Sequence, residues 1–301
     1  MDRLKIKNNE LKKVYNQKIM KLKVSIFKKF WRLIWVFNQE FDYIHKIKSD
    51  SNLIKEFVMK SEYFKDQVCI NIIRFGWHGY EPPIPMIIVK LINHKKSIFI
   101  DIGANTGYYS LLAYSANAIH VYSFELMPYI YNILEKNINL NKAKEKIETF
   151  DIAVGQVKGS SLLYSPREGA LIETSASLDK NFKENSTGIV VNVDTLDNVL
   201  FDKINVGLEV IIKIDVENCE HMVLEGMFKI LDKLSPTIIL EILENSKNKE
   251  IIYKILESNN LVELNIDGLD TSGDKKNYKN NNKLFVHAEK IEIYKRILVF
   301  K

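Results

Sequence analysis

Residues Ser97 to Gly107 constrain the fold of this chain more than any other stretch. An apolar run, Ile98-Phe99-Ile100, ends in Asp101, and Gly103-Ala104-Asn105-Thr106-Gly107 follows before a helix-forming segment, Tyr108 to Ala116. The pattern predicts a buried strand, a glycine turn and a helix start. A strand that feeds a helix in this way leaves backbone N–H groups and the positive helix end facing the turn. The anionic or polar part of a nucleotide-like ligand suits such a place. The motif therefore points to a cofactor-binding enzyme.

The rest of the chain repeats this alternation. Ile119–Glu125 reads as a strand and Pro128–Asn139 as a helix, with Pro128 suited to a first turn. Ile147–Val154 reads as a third strand. Val210–Val216 reads as a fourth, Glu220–Leu234 as a helix and Thr237–Ile242 as a fifth strand. Val210-Ile211-Ile212 is apolar throughout, as a strand buried on both faces should be. The rhythm predicts an α/β protein with a mostly parallel, helix-covered sheet and a site at the carboxyl ends of its strands. Two regions break it. Residues 155–193 mix β-like runs, Ser161–Tyr164 and Ile189–Val193, with Gly and Ser, and read as a β-rich insertion. Residues 267–283 read as an exposed loop between Leu261–Ile266 and Leu284–His287, two late strands expected to pair antiparallel.

Composition limits the alternatives. With 46% hydrophobic residues, the 301-residue chain can bury at least one large core. Residues 1–94 are expected to form a basic, largely helical extension with a pre-domain loop, and residues 95–301 the cofactor domain. Helical structure is expected to about residue 66, and Glu81-Pro82-Pro83-Ile84-Pro85 then marks the boundary. Met86 to Asn93 reads as a short helix leading into the first strand. The only two cysteines, Cys69 and Cys219, lie far apart, which implies neither a disulfide framework nor a zinc site and fits a reducing, cytoplasmic setting.

The net charge of +5 is unevenly spread. Residues 1–48 hold 13 Lys/Arg against 4 Asp/Glu, so the remainder is acidic. Nucleic acid is therefore not expected as a partner of the core, because phosphate contacts need a basic face. Neither a spanning helix nor a signal peptide is expected, since the apolar stretch Phe30 to Phe37 is short and broken by Arg32. Phe27, Phe30, Trp31, Ile34, Phe37 and Phe41 recur at helical spacing with basic residues between them. A helix over residues 21–41 would either pack this aromatic side on the main domain or lie on an anionic membrane surface at the inner face.

The glycine turn itself discriminates between cofactors. No phosphate-loop sequence occurs. Asp101-x-Gly103-x-x-x-Gly107 lacks the middle glycine that brings a pyrophosphate close in dinucleotide folds, and its acid suits a cationic amine better. Glu125, closing the second strand, can accept from both ribose hydroxyls. With Phe124-Glu125, Lys213-Ile-Asp-Val-Glu217 followed by Glu220, and Pro236-Thr-Ile-Ile-Leu-Glu241, the chain resembles the FkbM-type S-adenosylmethionine-dependent methyltransferases over roughly residues 95–290. The resemblance implies a Rossmann-like class I methyltransferase fold, with a seven-stranded sheet ending in an antiparallel hairpin. It implies S-adenosyl-L-methionine as cofactor and, as acceptor, a hydroxyl on a sugar, glycan or specialised metabolite. It also implies that Gly103, Ala104, Asn105 and Gly107 line the methionine and ribose portion, and that Asp101 stands near the amine through water. Glu125 would hold the ribose, and Asp151 would accept from the adenine amino group. The chain departs from the family pattern at Asn218, where a glycine is favoured, and at Glu125-Leu-Met-Pro128, where Glu-Pro is usual. Asn tolerates left-handed backbone better than most residues.

Methyl transfer to a hydroxyl requires alignment and a base. Asp215 and Glu217 lie at the end of the fourth strand and share a face if the strand continues. Mutual repulsion can make one of them a usable base, and either can instead bind the cofactor amine or a divalent cation. Glu241 can face the substrate from the fifth strand, and Glu220 either joins the site or favours its helix start. Lys213, if buried, needs a partner. No histidine pair has metal-ligand spacing, and no metal is expected. Trp77-His78-Gly79-Tyr80 either closes over the acceptor or anchors packing. Hydroxyls of Glu173 to Ser177 either reach the site or are solvated. The expected activity is O-methylation. The alternative is a weak or inactive methyltransferase-fold module, docked to a partner or membrane through its basic N-terminus.

Overall fold

The computed structural model describes residues 42–48, 52–62, 66–166, 186–266 and 281–298. Apart from Asp42, these belong to one compact unit, Tyr43–Lys301. The expectations placed on residues 1–41, on Glu173 to Ser177 and on most of the 267–283 loop lie outside the described residues.

Residues 42 to 62, expected to be helical, instead include two paired strands, β1 (Asp42–Ile47) and β2 (Phe57–Glu62). The local pattern explains the correction: Phe57 and Met59 are buried, while Val58 and Lys60 between them are less so. That is a period of two, which overrides the helical spacing upstream. Helix α1 (Gln67–Phe75) is capped by Asp66, whose carboxylate accepts from the N–H groups of Val68 and Cys69 at 2.9 and 3.2 Å. Helix α2 (Ile84–His94) starts earlier than expected, because Pro85 sits in its first turn, where a missing N–H costs nothing.

The main sheet opens with β3 (Ser97–Ile102), and α3 (Tyr108–Ser115), β4 (His120–Phe124), α4 (Pro128–Leu140) and β5 (Ile147–Phe150) follow. The expected third strand breaks here: after Asp151 and Ile152 the chain leaves the main sheet. Its next residues form β6 (Ala153–Val154), in a three-stranded sheet with the insertion hairpin β7 (Gly159–Pro166) and β8 (Ser186–Asp194). Helix α5 (Leu196–Leu200) leads to β9 (Glu209–Ile214). The single helix expected next is two, α6 (Glu220–Glu225) and α7 (Phe228–Leu234). They part at Gly226, where a Cβ would lie 2.1 Å from the carbonyl oxygen of Gly155. Strand β10 (Thr237–Glu241), helix α8 (Lys249–Ser258), β11 (Leu261–Leu264), β12 (Asn282–His287) and α9 (Ile291–Leu298) complete the chain.

The seven-stranded order is β11-β12-β10-β9-β3-β4-β5. β12 alone runs antiparallel to its neighbours, giving the expected terminal hairpin with β11. From β3 the chain first moves out to β4 and β5, then returns to place β9 on the other side of β3. Ligand clefts form at such a reversal, outside the carboxyl ends of the strands.

Strand alternation divides the core between the two faces. Ile98, Ile100, Ile102, Val210, Ile212, Ile214, Ile238 and Leu240 belong to one buried cluster, while Phe99, Ile211 and Ile239 pack with α2 and α3 in the other. Burying each such side chain contributes about 1.5–3 kcal/mol. On the second face, however, the carboxyl ends of the strands carry polar residues: Asp101 on β3, Ser123 on β4, Lys213 on β9 and Glu241 on β10. Asp101 is in register with both Ser123 and Lys213, and Glu241 with Asn282. Among the described residues, no helix is long and apolar enough to cross a membrane.

Candidate active site

The turn after β3 is built by close backbone approaches. The N–H groups of Gly103 and Ala104 both donate to the carbonyl of Phe124, at 3.0 and 2.9 Å. Gly103 has φ +84°, and a Cβ there would sit 1.9 Å from the carbonyl oxygen of Asp215. Only glycine fits, because β3 and β9 converge here. Gly103→Ala is expected to cost about 2–5 kcal/mol, from overpacking and left-handed strain together. Urea unfolding checks this, and a midpoint like the wild type would contradict it. Gly107, at φ +95°, precedes α3 and packs against Leu134. Asn137, buried on α4, ties this turn to β2: its Nδ2 donates to the Thr106 carbonyl at 2.8 Å and its Oδ1 accepts from Lys60 N–H at 2.7 Å. Nothing in the local sequence marks Asn137, since both contacts are long-range.

Glu125 lies immediately after β4 and is buried. Its Oε2 accepts from Asn105 N–H and its Oε1 from Met127 N–H, each at 2.9 Å. Burial raises its carboxyl to about 7, against the opposing pull of these hydrogen bonds. Asp101 is also buried. Its Oδ2 accepts from the Ser110 hydroxyl at 2.6 Å, and Ser110 accepts from Ser123 at 2.8 Å. Its Oδ1 is buried without a hydrogen-bond partner among the described residues. Burial raises Asp101 to about 6, with Lys213 opposing.

Lys213 is fully buried and still charged. Burial alone would lower its pKa, but the carboxylates of Asp215, Glu81 and Asp101 outweigh that and raise it. Its Nζ lies 2.7 Å from Asp215 Oδ2 and 4.7 Å from the centre of the Tyr109 ring. Asp215 in turn shares a hydrogen bond with Glu241. Burial, then the negative charge of Asp215, pushes Glu241 up to about 9, so Glu241 is the protonated member and donates. Asp215 stays low because Lys213 and this hydrogen bond overcome its own burial.

The expected pairing of Asp215 with Glu217 is thereby corrected. β9 ends at Ile214, and the chain turns through left-handed Glu217 and Asn218, at φ +51° and +71°. Glu241, from the adjacent strand, is the partner of Asp215. Asn218 occupies the left-handed turn in place of glycine, and its N–H donates to Glu220 Oε1 at 3.0 Å. Glu220 is buried and raised to about 7 by that burial.

These groups surround a cleft of about 1170 Å³, its open mouth included. Of the residues singled out in the sequence, Gly103, Ala104, Asn105, Glu125, Asp215, Glu217 and Glu241 line it. Asp101 and Gly107 lie behind the lining. Asp151 is exposed and outside it: once the chain leaves the main sheet, Ile152 and Ala153 face the cleft instead. Glu81 and Tyr109 are site residues that the sequence did not reveal. Glu81 Oε2 accepts from the Tyr109 hydroxyl at 2.8 Å. The pre-domain loop divides its roles: Trp77 packs in the core, and Tyr80 turns to the cleft. Among the described residues, no group of three or more His, Cys, Asp or Glu could hold a metal ion.

The family described as Methyltransferase FkbM domain matches residues 101–262, more than half of the chain. No curated protein matches the sequence. Solved structures with similarity include a methyltransferase FkbM from Methylobacillus flagellatus KT, at 14% identity and TM-score 0.41, covering 64% of this chain and 43% of that one. Another is a protein described as a methyltransferase from Streptococcus mutans in complex with SAH, at 12% identity and TM-score 0.39, covering 67% and 95%. A third is precorrin-6y C5,15-methyltransferase from Geobacter metallireducens GS-15, at 12% identity and TM-score 0.36, covering 67% and 84%. The chain thus spans less than half the length of the Methylobacillus protein.

Proposed function

Because the chain belongs to the FkbM methyltransferase family, we propose that it transfers a methyl group from S-adenosylmethionine to a hydroxyl of a sugar, glycan or specialised metabolite. The observation that carries this reading is Glu125, a buried carboxylate facing the cleft and fixed by backbone N–H groups on both sides. An ionised carboxylate has lone pairs left for a ribose diol. Beside it, Leu126, Met127, Ile152 and Ala153 offer an apolar wall that suits adenine. The buried, unpartnered Oδ1 of Asp101 suits the cofactor's amine, reached through water. The donor set therefore fits the cofactor.

When bound, S-adenosylmethionine supplies a methyl carbon activated by a positively charged sulfur. The protein's share is alignment, exclusion of water and a place for the acceptor's proton. Alignment of this kind is worth about 7–11 kcal/mol, and a positioned base about 10²–10⁴-fold. Asp215 and Glu241, at the opposite end of the cleft from the apolar wall, are the groups able to take that proton. Methyl-labelled cofactor offered with a sugar alcohol and with its amino analogue tests the acceptor class. Label recovered as an ether supports O-methylation, and label found only on the amine rejects it.

Glu125 also predicts a pH dependence. Its carboxyl ionises at about 7 in the free protein, and only the ionised form accepts from both ribose hydroxyls. Affinity for S-adenosylhomocysteine, the uncharged product that carries the same ribose, is expected to be level above that pH and to fall by about tenfold per unit below it. Dissociation constants between about pH 5.5 and 8.5 check this, and a flat profile would contradict it.

A further inference from the structure

The cleft is electrically lopsided. Its β4–β5 end carries the apolar Leu126, Met127, Ile152 and Ala153 beside Glu125, whereas Glu81, Asp215, Glu217 and Glu241 also line it with Lys213 as the one cation among the lining residues. Lys213 is already paired with Asp215, and its Nζ lies over the Tyr109 ring. Leu240 is in register with Ile214, so the residues that follow them, Glu241 and Asp215, stand side by side at the ends of β10 and β9, and both line the cleft. On the proposed orientation, the nucleoside occupies the apolar end, so the donor's positive sulfur must enter at the charged end.

We infer that the Asp215–Glu241 pair holds a proton that the positive charge of the methyl donor expels, so that the pair becomes a base only when the donor is bound. This inference rests on the proposed use of S-adenosylmethionine. Its proton balance closes without any further reagent. On donor binding, Glu241 gives its proton to solvent. On transfer, the acceptor's O–H bond breaks and its proton returns to the pair. The acceptor oxygen gains the methyl group as the sulfur–methyl bond breaks, and that bond's electron pair stays on sulfur. The product thioether carries no charge, so the pair holds the proton again and the site resets.

The groups facing Glu241 favour this arrangement. Lys213 and Asp215 reach it from β9, Glu81 from the loop before α2, and Asp101 lies beside Lys213 on β3. Glu81 adds negative charge that keeps the proton on the pair until a cation arrives. At pH 8 the other raised carboxyls around the cleft, Glu125, Asp101 and Glu220, are largely ionised already, with values of about 7, 6 and 7. Glu241, at about 9, is still protonated there, and it lines the cleft. A nearby opposite charge lowers a carboxyl by about 1–3 units.

The test is calorimetry of the full chain at pH 8, in buffers of different ionisation enthalpy, with S-adenosylmethionine and S-adenosylhomocysteine compared. Both carry the ribose, so any proton from Glu125 cancels in the difference. The charged ligand is expected to release about 0.4–0.9 proton more than the neutral one. In Glu241→Gln, which keeps a donor toward Asp215, that difference is expected to vanish. Equal proton release by the two ligands in the wild-type protein overturns the inference, and that result needs no variant to fold. A difference that persists in Glu241→Gln overturns the assignment to this pair. Failure of a folded sample to bind either ligand removes the cofactor reading itself, and this inference with it.

Discussion

Glu125→Ala is expected to weaken S-adenosylmethionine binding by about 100-fold. The estimate takes about 3 kcal/mol for the hydrogen bonds that a charged carboxylate makes to the two ribose hydroxyls. The side chain also fixes Asn105 and Met127 through their N–H groups, so its loss loosens both loops at once. Calorimetric titration measures the effect. A melting curve of the variant without ligand separates lost binding from lost structure. Affinity within about threefold of wild type would contradict the ribose role.

Lys213→Met is expected to lower folding stability by about 3–5 kcal/mol, the cost of stripping a buried ion cluster of its cation. Methionine fills similar volume, so the loss reports charge rather than a cavity. The deficit should depend on pH with a definite sign. Without Lys213, the carboxyls of buried Asp101 and half-buried Asp215 lose the charge that holds them down, and their folded-state pKa values rise. A group raised in the folded state favours folding while protonated, and this contribution is lost as pH rises through its folded pKa. The variant should therefore be closer to wild type near pH 5 than near pH 8. Urea unfolding at both values checks this. A deficit of similar size at the two values would contradict it.

What could be read in the sequence follows the range of the interactions. The strand-turn-helix at Ser97–Ser115 and the position of Glu125 were legible because each is local: apolar run, glycine, helix former, and an acid at a strand end. The parallel order followed from the same alternation, and the late hairpin from two β runs around a polar loop. The β1–β2 pair was misread because the aromatic spacing upstream is helical, while the Phe57-Met59 alternation covers only a few residues. The break after β5 depends on pairing with β8, more than 30 residues on, and no local residue announces it.

The site shows the same division. Asp215 was legible from its block, but its true partner depends on β9 and β10 lying side by side in register. Glu81 sits in a proline-rich stretch whose obvious message is the end of one segment. Only the folded chain places it against Tyr109. Asp151 had the right chemistry at a strand end, yet the chain's exit from the sheet leaves it exposed. Asn218 is the reverse case. Its departure from glycine is absorbed because asparagine takes the left-handed turn at φ +71°.

Titration of the folded 301-residue chain with S-adenosylmethionine tests the central claim most directly. Saturable 1:1 binding is predicted, displaced by S-adenosylhomocysteine and lost in Glu125→Ala. Absence of saturable binding by a sample with a cooperative melting transition would contradict the account.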